Sequence, residues 1–442
     1  MASVRSALEI IKSDPTEFLT SDLIVRSCQQ AGHKYRNRVL GPVQTIQAML
    51  KQTVHDNASI GEVVRLYQGA FTASAYCQAC QRVPLEVFFR LFHEQNKLVQ
   101  TAVKEPESAW HGHRVYVADS TGFSMCDEGL LAEYFGYPAN QRPGCGFPVG
   151  RMMLEIDPYS GLGLDFIPAP LHTGEAALLP LMQGCLQLGA IALADGNFGT
   201  ASMVQVAQSR GVHLIAEVQV MRKVKFACDP VDRPGKRRKK PLVLPDADEI
   251  MEWDKPAKRP AWMDEREYAA LPETTKVRVI RHDIVNEGCR KKQVVLVTTL
   301  LDQSKYPAAE IAELYKLRWR VETCFKTIKH TLKLDVLRSH TPDGVLKELV
   351  MIMLVYNLVR LVMLQAAKQQ NVPPVRISFI DALRWLRYAK PGDELPTLNI
   401  IPLRPRRNEP RVRKRRAKAY PLMQTPRSEY HKNRKSRTEG NN

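Results

Sequence analysis

The sequence predicts an α/β protein: a mixed sheet flanked by helices, with a β-rich insertion, a helical N-terminal domain and a basic C-terminal tail. Three observations predict it. Between residues 114 and 218 short apolar runs alternate with helical stretches, the pattern of strands layered with helices. From 219 to 305 prolines, a basic run and further strand-like segments interrupt that alternation. Residues 315–329 (YKLRWRVETCFKTIK) then read as a charged amphipathic helix, without Pro or Gly and with Pro307 as a first helical residue upstream.

In chain order, residues 1–105 form the helical domain, a DNA-binding one by the pattern of short helices and short turns, although any small bundle reads the same. Pro42 opens VQTIQAMLKQTV, Ser59 begins a short helix through Leu66, Ser74 is a cap for AYCQACQR, and Pro84 starts LEVFFRLFHEQNKLVQ. Residues 106–218 carry VYVA (115–118) ending at Asp119, VGRMMLEI (149–156), the turn PYSGLG, and a return strand at 164–167, an antiparallel meander. A helix over 175–188 kinks at Pro180, AIALA (190–194) is an apolar strand ending at Asp195, 200–209 is helical, and VHLIAEV (212–218) is a fifth strand. In the insertion, residues 219–305, KVRVIRH (276–282) and QVVLVTT (293–299) are the clearest strands. Residues 306–390 return to helix, with a long apolar one over 346–369 and a shorter one over 379–388. Residues 391–442 are the tail.

At 442 residues, 44% apolar and 25% charged, the chain has the composition of a multi-domain globular protein. Its formal charge of +18 points to a polyanionic partner, nucleic acid or a membrane surface. Between Arg404 and Arg437 stand 14 Lys and Arg against two acids, and a second run, KRRKK, occupies 236–240. Both can also be read as solubilising, unfolded segments, and for the KRRKK run taken alone that reading is about as good. The stretch 345–364 contains Lys347, Glu348, Asn357 and Arg360, so it is expected to be a buried helix and no membrane span. The N-terminus lacks an apolar signal-like run, and nine scattered cysteines suit free thiols in a reducing cytoplasm. Cys77 and Cys80 form one CxxC without the second half that zinc needs.

Three acids carry the chemistry. Asp119 and Asp195 follow apolar strands, where a lone Asp is commonly only a turn-former. At about 100° per residue, Tyr315, Arg318, Glu322, Lys326 and Lys329 share a helix stripe about 80° wide. A solvated face of spaced ion pairs would look the same. One acid among cations, added to two strand-end aspartates, suits instead a divalent ion held beside a phosphate.

The spacing Y-x2-R-x3-E-x6-K, met by Tyr315, Arg318, Glu322 and Lys329 within YKLRWRVE, resembles the signature of the insertion-sequence-4 type DDE transposases. The DST at Asp119 and the DGNF at Asp195 resemble that family's first and second acidic motifs, in the same order along the chain. The resemblance spans roughly residues 110–390 and implies an RNase H-like catalytic domain. It implies hydrolytic nicking at element ends, then strand transfer by the freed 3′-OH. Carried over, Asp119, Asp195 and Glu322 are metal ligands for Mg2+ or Mn2+, two per site. Tyr315, Arg318, Lys326 and Lys329 contact phosphates, and Phe198 packs beneath the site. Trp253 or Trp262 would stack on a flipped base in relatives that pass through a hairpin, unless each is simply a packing residue. The partners implied are double-stranded DNA, at element ends and target, and a second copy in a synaptic dimer; no membrane is involved, and the setting is the bacterial cytoplasm, nucleoid-associated on DNA. A nuclease or resolvase without strand transfer, and a non-catalytic DNA-binding derivative, are the alternatives.

Overall fold

The computed structural model describes residues 19–402, apart from 37, 104–108, 140–141, 143–144, 183–186, 230–243, 285–291, 336 and 391–392, together with 425, 426 and 429. The KRRKK run and nearly all of the basic tail lie outside the described residues.

Five N-terminal helices come first: α1 (Ser21–Gln30), α2 (Pro42–Val54), α3 (Ile60–Leu66), α4 (Ala73–Arg82) and α5 (Leu85–Val103). Pro42 opens α2 as expected, and the Ser59 hydroxyl caps α3 by accepting from the Glu62 N–H. Thr72, rather than Ser74, caps α4. The sheet strands are β1 (Ala109–Trp110), β2 (His113–Ser124), β3 (Val149–Ile156), β4 (Gly163–Pro170), β5 (Ile191–Ala194), β6 (His213–Glu217), β7 (Ala247–Asp254), β8 (Thr274–Ile284) and β9 (Lys292–Thr298). Short helices α6 (Gly129–Phe135), α7 (Glu175–Leu178), α8 (Ala201–Ser209) and α9 (Glu265–Ala270) lie between them. Three more, α10 (Ala308–Tyr315), α11 (Trp319–His330) and α12 (Pro342–Gln370), precede α13 (Phe379–Tyr388).

The strands form one sheet in the order β4-β3-β2-β5-β6-β9-β8-β7, with β1 paired to β2. β2, β5 and β6 run parallel at its centre, and β3 and β4 join as the antiparallel meander. This is a mixed sheet flanked by helices. Strands buried on both faces are apolar throughout: all four residues of β5 are buried, as are Val115 to Ala118 of β2.

Several expectations need correction. β2 does not end at Asp119; it continues to Ser124, because residues 117–124 pair antiparallel with β3. Of the helix expected over 175–188, the part up to 182 is one turn, α7, tightened into a 3₁₀ turn at Leu179–Leu181 where Pro180 has no N–H to give; residues 183–186 lie outside the described residues. The β-rich block, expected as an insertion in the α/β domain, has a place in the sheet. β9 pairs with β6, β8 with β9 and the unforeseen β7 with β8, so it extends the central sheet. Arg278, fully buried in β8, grips Asp248 of β7 and donates to the Tyr306 carbonyl at 2.7 Å, fixing the approach to α10.

The apolar helix α12 is buried along its length and is the spine of the molecule. Its polar residues are tied to neighbours. Glu348 accepts from Asn57 and from the Arg338 and Ser339 backbone, Lys347 donates to the Cys80 and Gln81 carbonyls, and Asn357 both accepts from and donates to Gly163. Through these bonds and one continuous apolar core, the N-terminal helices pack on the α/β region rather than standing apart from it.

Candidate active site

The parallel register sets the first two acids side by side. Val115 pairs with Ile191, Tyr116 with Ala192 and Val117 with Leu193. The same offset, continued two residues, puts Asp119 beside Asp195. The third acid arrives on α11. Tyr315, at the end of α10, is fully buried and its phenol donates to the Ala194 carbonyl at 3.2 Å, the residue before Asp195. A 3₁₀ turn (Lys316–Arg318) follows, and α11 then carries Glu322 over the strand ends.

Asp119, Asp195, Arg318, Glu322, Lys326 and Lys329 line one open groove of about 810 Å³. Arg318, only 13% exposed, spans two of the acids: one terminal nitrogen lies 3.4 Å from Asp119 Oδ2 and the other 2.8 Å from Glu322 Oε1. Glu322 is 54% exposed and looks into the groove. Asp119 Oδ1 accepts from the Ser120 N–H at 2.7 Å, and Asp195 Oδ1 accepts from the Asn197 N–H at 2.9 Å. Burial pushes the Asp119 carboxyl up to about 6; the Ser120 N–H opposes this, Asp195 and Glu175 add repulsion, and Arg318 relieves part of it. Burial likewise raises Asp195, against the Asn197 N–H, with Glu175 adding to the rise.

A carboxyl raised in the folded state is ionised at a cost to the fold. That cost is absent below the unfolded value near 4 and complete above about 6, so this group makes the metal-free protein lose stability as pH rises between them. Asp119→Asn is therefore expected to stabilise the metal-free protein at pH 7, by at most about 3 kcal/mol, with little gain at pH 4. Thermal melting of both proteins at the two pH values measures it, and an equal or lower melting temperature for the variant at pH 7 rejects it.

Not every expected contact faces the groove. Tyr315 cannot touch a phosphate here: it is enclosed, and burial holds its phenol far above the usual range as a neutral donor. Trp253 is 4% exposed with the Arg222 guanidinium 4.0 Å over its ring, and half-buried Trp262 packs against Met263 and Leu271; neither lines the groove. Trp253 is a core residue, and Trp262 packs against the core from its edge. Phe198 is fully buried. Sequence reasoning missed Glu175, Asn197, Glu217 and the exposed pair Val220–Met221, all at or beside the groove. Ser120 and Asn197 had a signal, since each stands within two residues of a motif aspartate; Glu175 had none.

In kind, the three carboxylates fit divalent ions, which take oxygen donors. In spacing they are held apart: Arg318 supplies the positive charge between Asp119 and Glu322, and among the described residues no three His, Cys, Asp or Glu side chains are grouped as a ready-made metal site.

The Transposase DDE domain family matches residues 110–358, more than half of the chain. The chain belongs to the DDE transposase family. Proteins of this family are generally dependent on divalent metal ions. Among curated relatives, this chain is similar to the transposase InsG for insertion sequence element IS4 of Escherichia coli (strain K12), 32% identical over 145 residues, 28% of this chain and 33% of that protein. It is similar also to the putative transposase InsL for insertion sequence element IS186A of the same strain and to the transposase for insertion sequence element IS421 of Escherichia coli. Each is 43% identical over 79 residues, 15% of this chain and 21% of the relative. The matched parts thus span a third or less of these relatives' length. Among solved structures, a cryo-EM structure of the piggyBac transposase synaptic complex with hairpin DNA aligns at a TM-score of 0.48 and 9% identity, over 88% of this chain and 80% of that one.

Proposed function

We propose that this transposase mobilises a bacterial-type insertion element: it binds DNA at the element's ends, cuts a strand there, and joins the freed 3′-OH to target DNA. The observation that carries this is the meeting of Asp119, Asp195 and Glu322 on one groove with Arg318, Lys326 and Lys329. Carboxylates alone would repel DNA; cations alone would only bind it. Together they suit a scissile phosphate approached by divalent ions.

Asp119, Asp195 and Glu322 are the residues that would hold Mg2+ or Mn2+, two ions in this reading. Bound there, such ions activate the attacking oxygen and steady the leaving one. The chain's own contribution is placement. Arg318 holds two acids by its planar fork and can pass one branch to a phosphate oxygen, whereas Lys326 and Lys329 act as point charges along the strand. Further from the groove, Lys34, Arg36, Arg38 and Arg82 line a pocket of about 370 Å³ on the N-terminal helices, with no acid among its lining residues. That supports the reading that these helices grip the element ends, with the basic tail and the KRRKK run adding salt-sensitive affinity. Acting on two ends at once implies a homodimer on DNA.

The test is a purified protein given its element-end DNA, a target plasmid and Mg2+ or Mn2+. Joined end–target products are expected only with the metal, and to be lost with EDTA. Nicked ends without any joined product would mean a nuclease, and no cutting at all would mean a DNA-binding protein.

A further inference from the structure

We propose that Glu175 is a positioning residue which holds Asp119 and Asp195 in register, a role resting on the metal-binding reading above. One side chain reaches both loops. Glu175 Oε1 accepts from the Ser120 hydroxyl at 2.5 Å, and Oε2 accepts from Asn197 Nδ2 at 2.9 Å. The backbone N–H groups of those same two residues donate to Asp119 Oδ1 and Asp195 Oδ1. A single carboxylate therefore orients both donors, and each donor orients one acid. Arg151, from β3, pairs with Glu175 Oε1 at 2.9 Å and compensates its charge, so Glu175 is itself held.

The placement has a structural origin. Gly174 and Glu175 begin the one-turn helix α7 directly after the meander, and Pro180 cuts that helix short. A short turn over the strand ends brings a first-turn acid back across them. Glu175 touches neither Asp119 nor Asp195 by a hydrogen bond, and its repulsion contributes to the raised state of both. It is thus a clamp whose own charge makes the pair demand a cation.

Partners behind metal-binding carboxylates typically contribute about 10- to 100-fold to metal affinity. The experiment is Mn2+ titration of the full-length, DNA-free protein by calorimetry, with melting temperature measured alongside. Glu175→Ala is expected to weaken Mn2+ binding by about 10- to 100-fold. Glu175→Gln is expected to weaken it less, because one carbonyl oxygen can serve Ser120 or Asn197 but not both. Asn197→Ala should weaken binding in the wild-type background and add little in Glu175→Ala, since the two act through one another. If Glu175→Ala melts early, the isosteric Gln variant carries the test. Unchanged Mn2+ affinity in Glu175→Gln and Glu175→Ala overturns the proposal, as do fully additive effects with Asn197→Ala. Complete loss in Glu175→Gln, equal to that of Asp119→Asn, would make Glu175 a ligand instead. Wild type that binds no Mn2+ at all, like Asp119→Asn, would sink the metal reading itself and this role with it.

Discussion

Glu322→Gln is expected to abolish strand cleavage, by about a thousandfold or more, which corresponds to about 4 kcal/mol of barrier. Gln has the shape of Glu and can still accept from Arg318 across the 2.8 Å contact, so the helix and its cation stay where they are. What is lost is one negative charge and one oxygen able to hold a divalent ion. Binding of element-end DNA is expected to change by less than about twofold, because a half-exposed surface charge is screened and its removal, if anything, relieves repulsion of the phosphate backbone. Single-turnover cleavage of labelled end DNA, beside a gel-shift titration, separates the two effects. A Gln variant that cuts at the wild-type rate removes Glu322 from the site, and one that neither cuts nor binds shows only that the protein has been damaged.

Much of this site was legible in the order of residues, and what was not has physical reasons. β3, β5, β6 and α8 could be read because apolar runs there are bounded by turn chemistry, and the offset between Asp119 and Asp195 is the offset of two parallel apolar strands. That Asp119 lies inside a strand was hidden: DSTGFS is polar and turn-like, and only its distant partner β3 makes it extended. The same non-locality concealed the joining of the β-rich block to the central sheet. β7 (ADEIMEWD) was missed because its acids and partial exposure suit a sheet edge, where the apolar signal is weak.

Tyr315 illustrates a different limit. On an ideal helix it shares a stripe with Glu322. The three residues of 3₁₀ turn between them advance about 120° each rather than 100°, a relative swing of about 60°. Nothing in KLR signals that tightening, and it comes with Tyr315 enclosed in the core beneath the site while Glu322 faces the groove. The residue kept its place in the motif but as an anchor for the strand end, not as a phosphate contact. Glu175 was invisible for a simpler reason, since its meaning lies wholly in two loops distant in sequence.

Arg318→Ala is expected to lower cleavage by about a hundredfold or more, and Arg318→Lys to recover only part of it. Arg318 is the shared counter-ion of Asp119 and Glu322, with separate nitrogens serving each acid. An ammonium is a single point charge and cannot address both carboxylates with the same planar fork, so charge alone does not restore the geometry. Removing the guanidinium also takes away a cation that relieves the raised Asp119 carboxyl, pushing it further toward its neutral form and away from metal binding. Arg413→Ala is the contrast: that residue lies in the basic tail outside the described residues, one of many like charges, and its loss should change cleavage by less than about twofold. Measured at saturating DNA with the metal concentration varied, Arg318→Ala should need more metal and still cut slowly. Full activity in Arg318→Lys would mean that only the charge matters at this position and that the span between two acids does not.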